Sequence, residues 1–168
     1  MSSSQMTDRE KLVRRPTWKP ILFAFLAAAL VAGLGASVTE IGSWYHTLNK
    51  PAWQPPDWLF GPAWTLNFAC AALSASSAWS AAGKRADRDW LIILFCLNGA
   101  LNVLWSLLFF RLHLIGWAGI EVAALWLSIL VLIIFTRCFS AMANLLLLPY
   151  LAWVGFAAAL NWTVASLN

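Results

Sequence analysis

Four sets of side chains recur at helical spacing and mix large aromatics with amides, one acid and small residues. They are Trp64, Phe68, Ala71 and Ala75; Asn98, Asn102, Trp105 and Phe109; Trp117, Glu121, Ala124 and Ser128; and Tyr150, Trp153, Ala157 and Asn161. Positions i, i+3 or i+4, i+7 and i+11 share one helix face, so each set is a stripe. Aromatic walls with a few hydrogen-bonding groups are suited to non-covalent recognition. No nucleophile–base pair, metal cluster or cofactor motif accompanies them, so no catalytic or metal residue is expected. Cys70, Cys96 and Cys138 are isolated, without CxxC spacing, and support neither a disulfide framework nor a metal site.

The elements that carry the stripes are set by composition. Of 168 residues, 61% are hydrophobic and 11% charged, and mean hydropathy is +0.72. Soluble domains carry about a quarter charged residues, so this is the composition of a membrane protein. A spanning helix needs about 20 mostly apolar residues. Five stretches qualify: Pro20 to Val38, Leu59 to Ala82, Trp90 to Phe110, Leu114 to Phe135 and Leu145 to Leu167. The second is the least distinct, being rich in Ala and Ser. The predicted fold class is an all-α integral membrane protein, a five-helix bundle with a long first loop, residues 39–58, acting as a lid. KRADRD (84–89), Arg111 to His113, and Arg137 to Asn144 read as short connecting loops. Residues 1–17 read as a polar, disordered tail and 18–168 as one membrane domain. The apolar run of the first span exceeds the usual signal-peptide core, so it reads as a retained helix.

Basic residues orient the bundle. Arg9, Lys11, Arg14, Arg15, Lys19, Lys84, Arg85, Arg88 and Arg137 fall on one side; Lys50 and Arg111 fall on the other. The expected topology is N-terminus cytoplasmic, with the C-terminus and first loop outside. The basic residues flank spans without forming one face, which argues against nucleic acid.

Polar groups inside spans usually face the bundle interior. Asn98 and Asn102 suit interhelical hydrogen bonding and ligand contact equally. Glu121, the one acid inside a span, is a functional candidate by default; the plainer reading is a carboxyl that locks helices together. Trp18, Trp79 and Trp90 read as interface anchors. Ala28, Ala32 and Ala36, Ala29 with Gly33, and Gly155 with Ala159 allow close helix approach, within a monomer or across a dimer.

The stretch WYHTLNKPAWQPPDWLFGPAW (44–64) explains the first loop. Pro51, Pro55 and Pro56 stiffen it, because Pro fixes φ and biases its predecessor toward extended backbone. Pro62 falls in the first turn of the second span, where its missing N–H has no helical partner anyway. The Trp residues give the loop an apolar underside, with its floor at Trp64.

This stretch resembles the signature of the TspO/MBR family, the tryptophan-rich sensory and translocator proteins, also called the peripheral-type benzodiazepine receptor family. Trp44-Tyr45, Leu48, Lys50-Pro51, Trp53, Pro55-Pro56, Trp58, Gly61-Pro62 and Trp64 carry the first block. Asn102, Trp105-Ser106 and Phe109-Phe110 carry a second. Pro149 to Trp153, Phe156-Ala157 and Leu160-Asn161 carry a third, and Gly116 to Glu121 fit as well. The resemblance covers nearly the whole chain after about residue 18.

The resemblance implies a homodimeric five-helix bundle in the lipid bilayer of a bacterial cell. Its first loop would close a pocket for a tetrapyrrole such as protoporphyrin IX, or for haem, in porphyrin transport, homeostasis or stress sensing. No cofactor is required. The alternatives are an enzyme degrading porphyrin oxidatively and a membrane scaffold or regulator without transport. Tyr45, Trp64, Asn102 and Trp153 match the family's pocket positions, with Asn98, Trp105 and Ala157 as neighbours. Trp53, Phe68 and Glu121 complete the candidate ligand-binding set. Phe68 stands where family members often have Tyr. Trp162 stands at the Tyr of the animal proteins' cholesterol motif, and no basic residue follows it, so sterol recognition through that motif is not expected.

Overall fold

The computed structural model describes residues 18–168; the expected polar tail over 1–17 lies outside them. The chain folds into α1 (Trp18–Val38), α2 (Ser43–Thr47), a 3-10 turn (Asp57–Leu59), α3 (Phe60–Ala81), α4 (Arg85–Ser106), a π-helical turn (Leu107–Arg111), α5 (Ile115–Arg137), α6 (Ala141–Leu146) and α7 (Leu148–Leu167). No strand occurs among the described residues.

Four stretches are long and apolar enough to cross a membrane: Trp18–Val38, Arg85–Arg111, Ile115–Arg137 and Ala141–Leu167. α3 has 22 residues but stands apart from these four. Its Ala and Ser content lowers its hydropathy, and Ser74 and Ser76 are buried among neighbouring helices.

Three boundaries differ from the expected ones. KRADRD is not a loop: Lys84 caps α4, and Arg85 to Asp89 form its opening turns. Asp87 sits in the first turn, where a carboxylate favours the positive end of the helix dipole. Arg137 belongs to α5, and the following segment is helical from Ala141, because Ser140 accepts a bond from the Ala143 N–H at 3.2 Å. The break at Leu147 precedes Pro149, which occupies the first turn of α7 and cannot donate. The first loop is also partly helical, through α2 and the 3-10 turn. It is irregular at residues 39–42 and over the proline-bearing residues 48–56.

The long helices form a ring in which α1, α3, α7, α5 and α4 each pack on the next, and α4 packs back on α1. α5 supplies much of the core, with Leu125, Ile129 and Leu132 fully buried. α1 buries only Gly35 and turns Phe23, Leu26 and Leu30 outward, as lipid permits. Close approach is set by glycine: a Cβ on Gly99 would lie 2.8 Å from Val31 Cγ2, so α1 and α4 could not keep their spacing. Gly119 plays the same part toward α7, where Trp162 Nε1 donates to its carbonyl at 2.7 Å.

Candidate functional site

A cavity of about 600 Å³ opens at the loop-one end of the ring. Its walls come from α1, loop one, α3, α4, the π-helical turn and α7; α5 supplies none. Trp64 is the hub of the aromatic wall. Its ring stacks on Phe68 at 5.6 Å and lies 6.2 Å from Trp105, 6.2 Å from Tyr150 and 6.5 Å from Trp153. Such separations suit aromatic pairing and hold the wall rigid.

The π-helical turn widens this wall. Leu112 N donates to Leu107 O, five residues back, in place of the usual four. Both Phe109 and Phe110 reach the cavity from this turn. Two residues beyond the turn stands His113, whose φ of 57° is the left-handed region. Its ring stacks on Trp44 at 3.8 Å, which ties loop one to the α4–α5 corner.

Polar groups back the aromatics. Asn102 Nδ2 donates to the Tyr150 hydroxyl at 3.2 Å; that hydroxyl donates to Asn98 Oδ1 at 3.2 Å; Asn98 Nδ2 donates to Ser128 Oγ at 2.8 Å. Trp105 Nε1 donates to Asn161 Oδ1 at 3.2 Å, and Asn161 Nδ2 to Ile115 O at 3.0 Å. These bonds join α4, α5 and α7 and fix the rotamers of Asn102 and Trp105.

The mouth is polar. The Tyr45 hydroxyl donates to Asp57 Oδ1 at 3.1 Å, and Gln54 Nε2 donates to Tyr45 Oη and Asp57 Oδ1, each at 3.2 Å. Burial, and then the Asp57 charge and hydrogen bond, push the Tyr45 phenol up to about 12. Lys50 Nζ stands 3.3 Å from the centre of the Tyr45 ring. Burial holds that ammonium below its ordinary pKa, and Asp57 opposes the shift.

Six of the sequence candidates line the cavity: Tyr45, Trp64, Phe68, Asn102, Trp105 and Ala157. Four do not. Asn98 lies deeper, between Ser128 and Tyr150. Trp153 lies behind Trp64, against Phe60 and Phe156 at 5.8 and 5.5 Å. Trp53 is half exposed and packs on Phe156 at 5.7 Å. Glu121 is buried on α5, and neither carboxylate oxygen finds a donor among the described residues. The sequence reading passed over Lys50, Gln54 and Asp57, because loop charges are ordinarily solvated. It also passed over Tyr150 as a hub, although the Tyr150 stripe signals an inward face.

A family model for the TspO/MBR family matches residues 20–167. The chain belongs to the TspO/MBR family. A tryptophan-rich protein TspO of Chlorobaculum tepidum is 36% identical over 152 residues, 85% of this chain and 96% of that protein. Protein CrtK of Rhodobacter capsulatus is 32% identical over 148 residues, 88% of this chain and 92% of its own. The human translocator protein is 30% identical over 152 residues, 89% of this chain and 90% of its own. Family membership and the apolar helices make this chain a multi-pass integral membrane protein.

Proposed function

We propose that this TspO/MBR protein binds a tetrapyrrole of the protoporphyrin IX kind in the cavity beneath loop one, in porphyrin transport, homeostasis or stress sensing. The supporting observation is the cavity itself. At about 600 Å³ it falls in the range of small-molecule sites, and Trp64, Phe68, Trp105 and Phe109 give it walls suited to a flat aromatic macrocycle. In this reading α3 is the fifth membrane span: its 22 residues rise about 33 Å, enough for a hydrocarbon core of about 30 Å. Loop one is the lid. The same reading has the N-terminus in the cytoplasm, which the distribution of basic residues supports, and two chains paired as a homodimer.

The test is a fluorescence titration of the purified protein in detergent with protoporphyrin IX. Saturable quenching that Trp64→Ala weakens at least about tenfold supports the reading, since a buried aromatic wall contributes on that scale. Quenching that is linear and unchanged in Trp64→Ala overturns it.

A further inference from the structure

Among the described residues, Lys50 and Asp57 are the only Lys, Arg, Asp or Glu along the cavity wall, and they are not paired alike. Asp57 Oδ1 already accepts from two neutral donors, the Tyr45 hydroxyl and Gln54 Nε2. Lys50 Nζ rests on the Tyr45 ring face, and among the described residues no carboxylate oxygen lies within 4.0 Å of it. A ring face attracts a cation without using up its hydrogen-bonding protons. The ammonium is also partly stripped of solvent, as the downward push of burial on its pKa indicates. A cation so placed gains from an anion that enters the cavity. Arg111, the other basic residue on this side of the chain, is already taken by Glu40 and lies outside the wall.

Taking the binding site of the preceding section as its premise, we propose that Lys50 recognises a carboxylate on the ligand's rim. The ligand class is then a flat apolar molecule bearing at least one acid group. It would enter with its apolar body against Trp64, Trp105 and Phe109 and its acid at the loop-one mouth. Asp57 acts on the ammonium from a distance and repels a second carboxylate, but its Oδ1 is occupied by the Tyr45 hydroxyl and Gln54 amide, which leaves the Lys50 protons for the ligand. A neutral sterol or a fully esterified macrocycle would forgo the contact.

The test compares protoporphyrin IX with its dimethyl ester, which keeps the macrocycle and removes both charges, by Trp quenching of the full chain in detergent. The wild type should prefer the acid by about tenfold, the scale of one hydrogen bond to a charged group. Lys50→Gln should bring the two ligands within about twofold of each other, and Lys50→Arg should restore most of the preference. Ester affinity is the internal check that each variant folds and keeps its cavity. A readout that needs no variant is salt, which should weaken binding of the acid more than that of the ester. Equal binding of acid and ester by the wild type, a preference that survives Lys50→Gln, or equal salt sensitivity would overturn the assignment to Lys50 and leave tetrapyrrole binding standing. Failure of the wild type to bind either compound would overturn both.

Discussion

Asn49 and Asn168 clasp each other across 119 residues of chain. Asn49 N donates to Asn168 Oδ1 at 3.0 Å, and Asn168 Nδ2 donates to Asn49 O at 3.1 Å. Asn49 Nδ2 adds a bond to Leu167 O at 3.3 Å. Residues 119 apart thus fasten loop one to the end of α7, beside Lys50 and the cavity mouth. If loop one closes the cavity, this clasp sets its opening rate. Asn168→Ala should raise the ligand dissociation rate at least about fivefold, as expected for two hydrogen bonds at about 0.5–1.5 kcal/mol each. Stopped-flow release of protoporphyrin IX measures it; an unchanged rate would remove the clasp from the closing mechanism.

Pro55 and Pro56 act on the same loop by another route. If loop one is a lid, they would restrict its open form more than its closed one, since Pro removes backbone freedom that would otherwise be lost on closing. Replacing both with Gly should speed ligand release while moving the melting temperature by less than a core substitution would. A large loss of stability with unchanged release would assign the prolines to folding alone.

At the α1–α4 contact the geometry is steric. The missing Cβ of Gly99 leaves the space that Val31 Cγ2 occupies. Gly99→Leu should destabilise the bundle by about 1–3 kcal/mol, the usual cost of overpacking. Val31→Ala should cost less in the Gly99→Leu background than alone, because it makes room for the new side chain. Thermal denaturation of the four proteins in detergent closes the cycle; additive losses would mean that the two residues do not share that space.

The aromatic and amide part of the cavity wall was legible in the sequence. Trp64, Phe68, Asn102, Trp105 and Ala157 recur at helical spacing in spans where polar and bulky groups need a reason to persist. Periodicity, however, gives faces and not neighbours. It puts Glu121 and Ser128 on one face of α5, but it cannot tell that α5 closes the far side of the ring and adds nothing to the cavity wall. The mouth was hidden because Gln54 and Asp57 look like ordinary loop residues until Tyr45 is brought between them.

Tyr45 gives that mouth a pH dependence. Its phenol is raised from 10.0 to about 12 in the folded chain, so the folded state holds the proton more tightly than the unfolded one. The stability this confers is complete below pH 10 and is lost as pH rises toward 12. Tyr45→Phe should flatten the alkaline fall in melting temperature relative to wild type over that interval, with lysine titration common to both proteins. Parallel curves would show that the folded chain holds the Tyr45 proton no more tightly than the unfolded one.

Neither histidine of the described chain lines the cavity. His46 lies exposed on α2 beside the Tyr45 ring, and His113 is committed to its stack on Trp44 at 3.8 Å. Imidazole suits iron, but an iron-bound macrocycle between these cavity walls would meet rings before it met either imidazole. Metal-free protoporphyrin should therefore bind within a few-fold of haem. The double substitution His46→Ala with His113→Asn should leave that ratio unchanged, Asn being chosen because it tolerates the left-handed backbone at 113. Absolute affinity for both ligands should fall together if losing the Trp44 stack loosens loop one. A loss confined to haem would show that an imidazole reaches the metal, and loop one would then have to rearrange to deliver it.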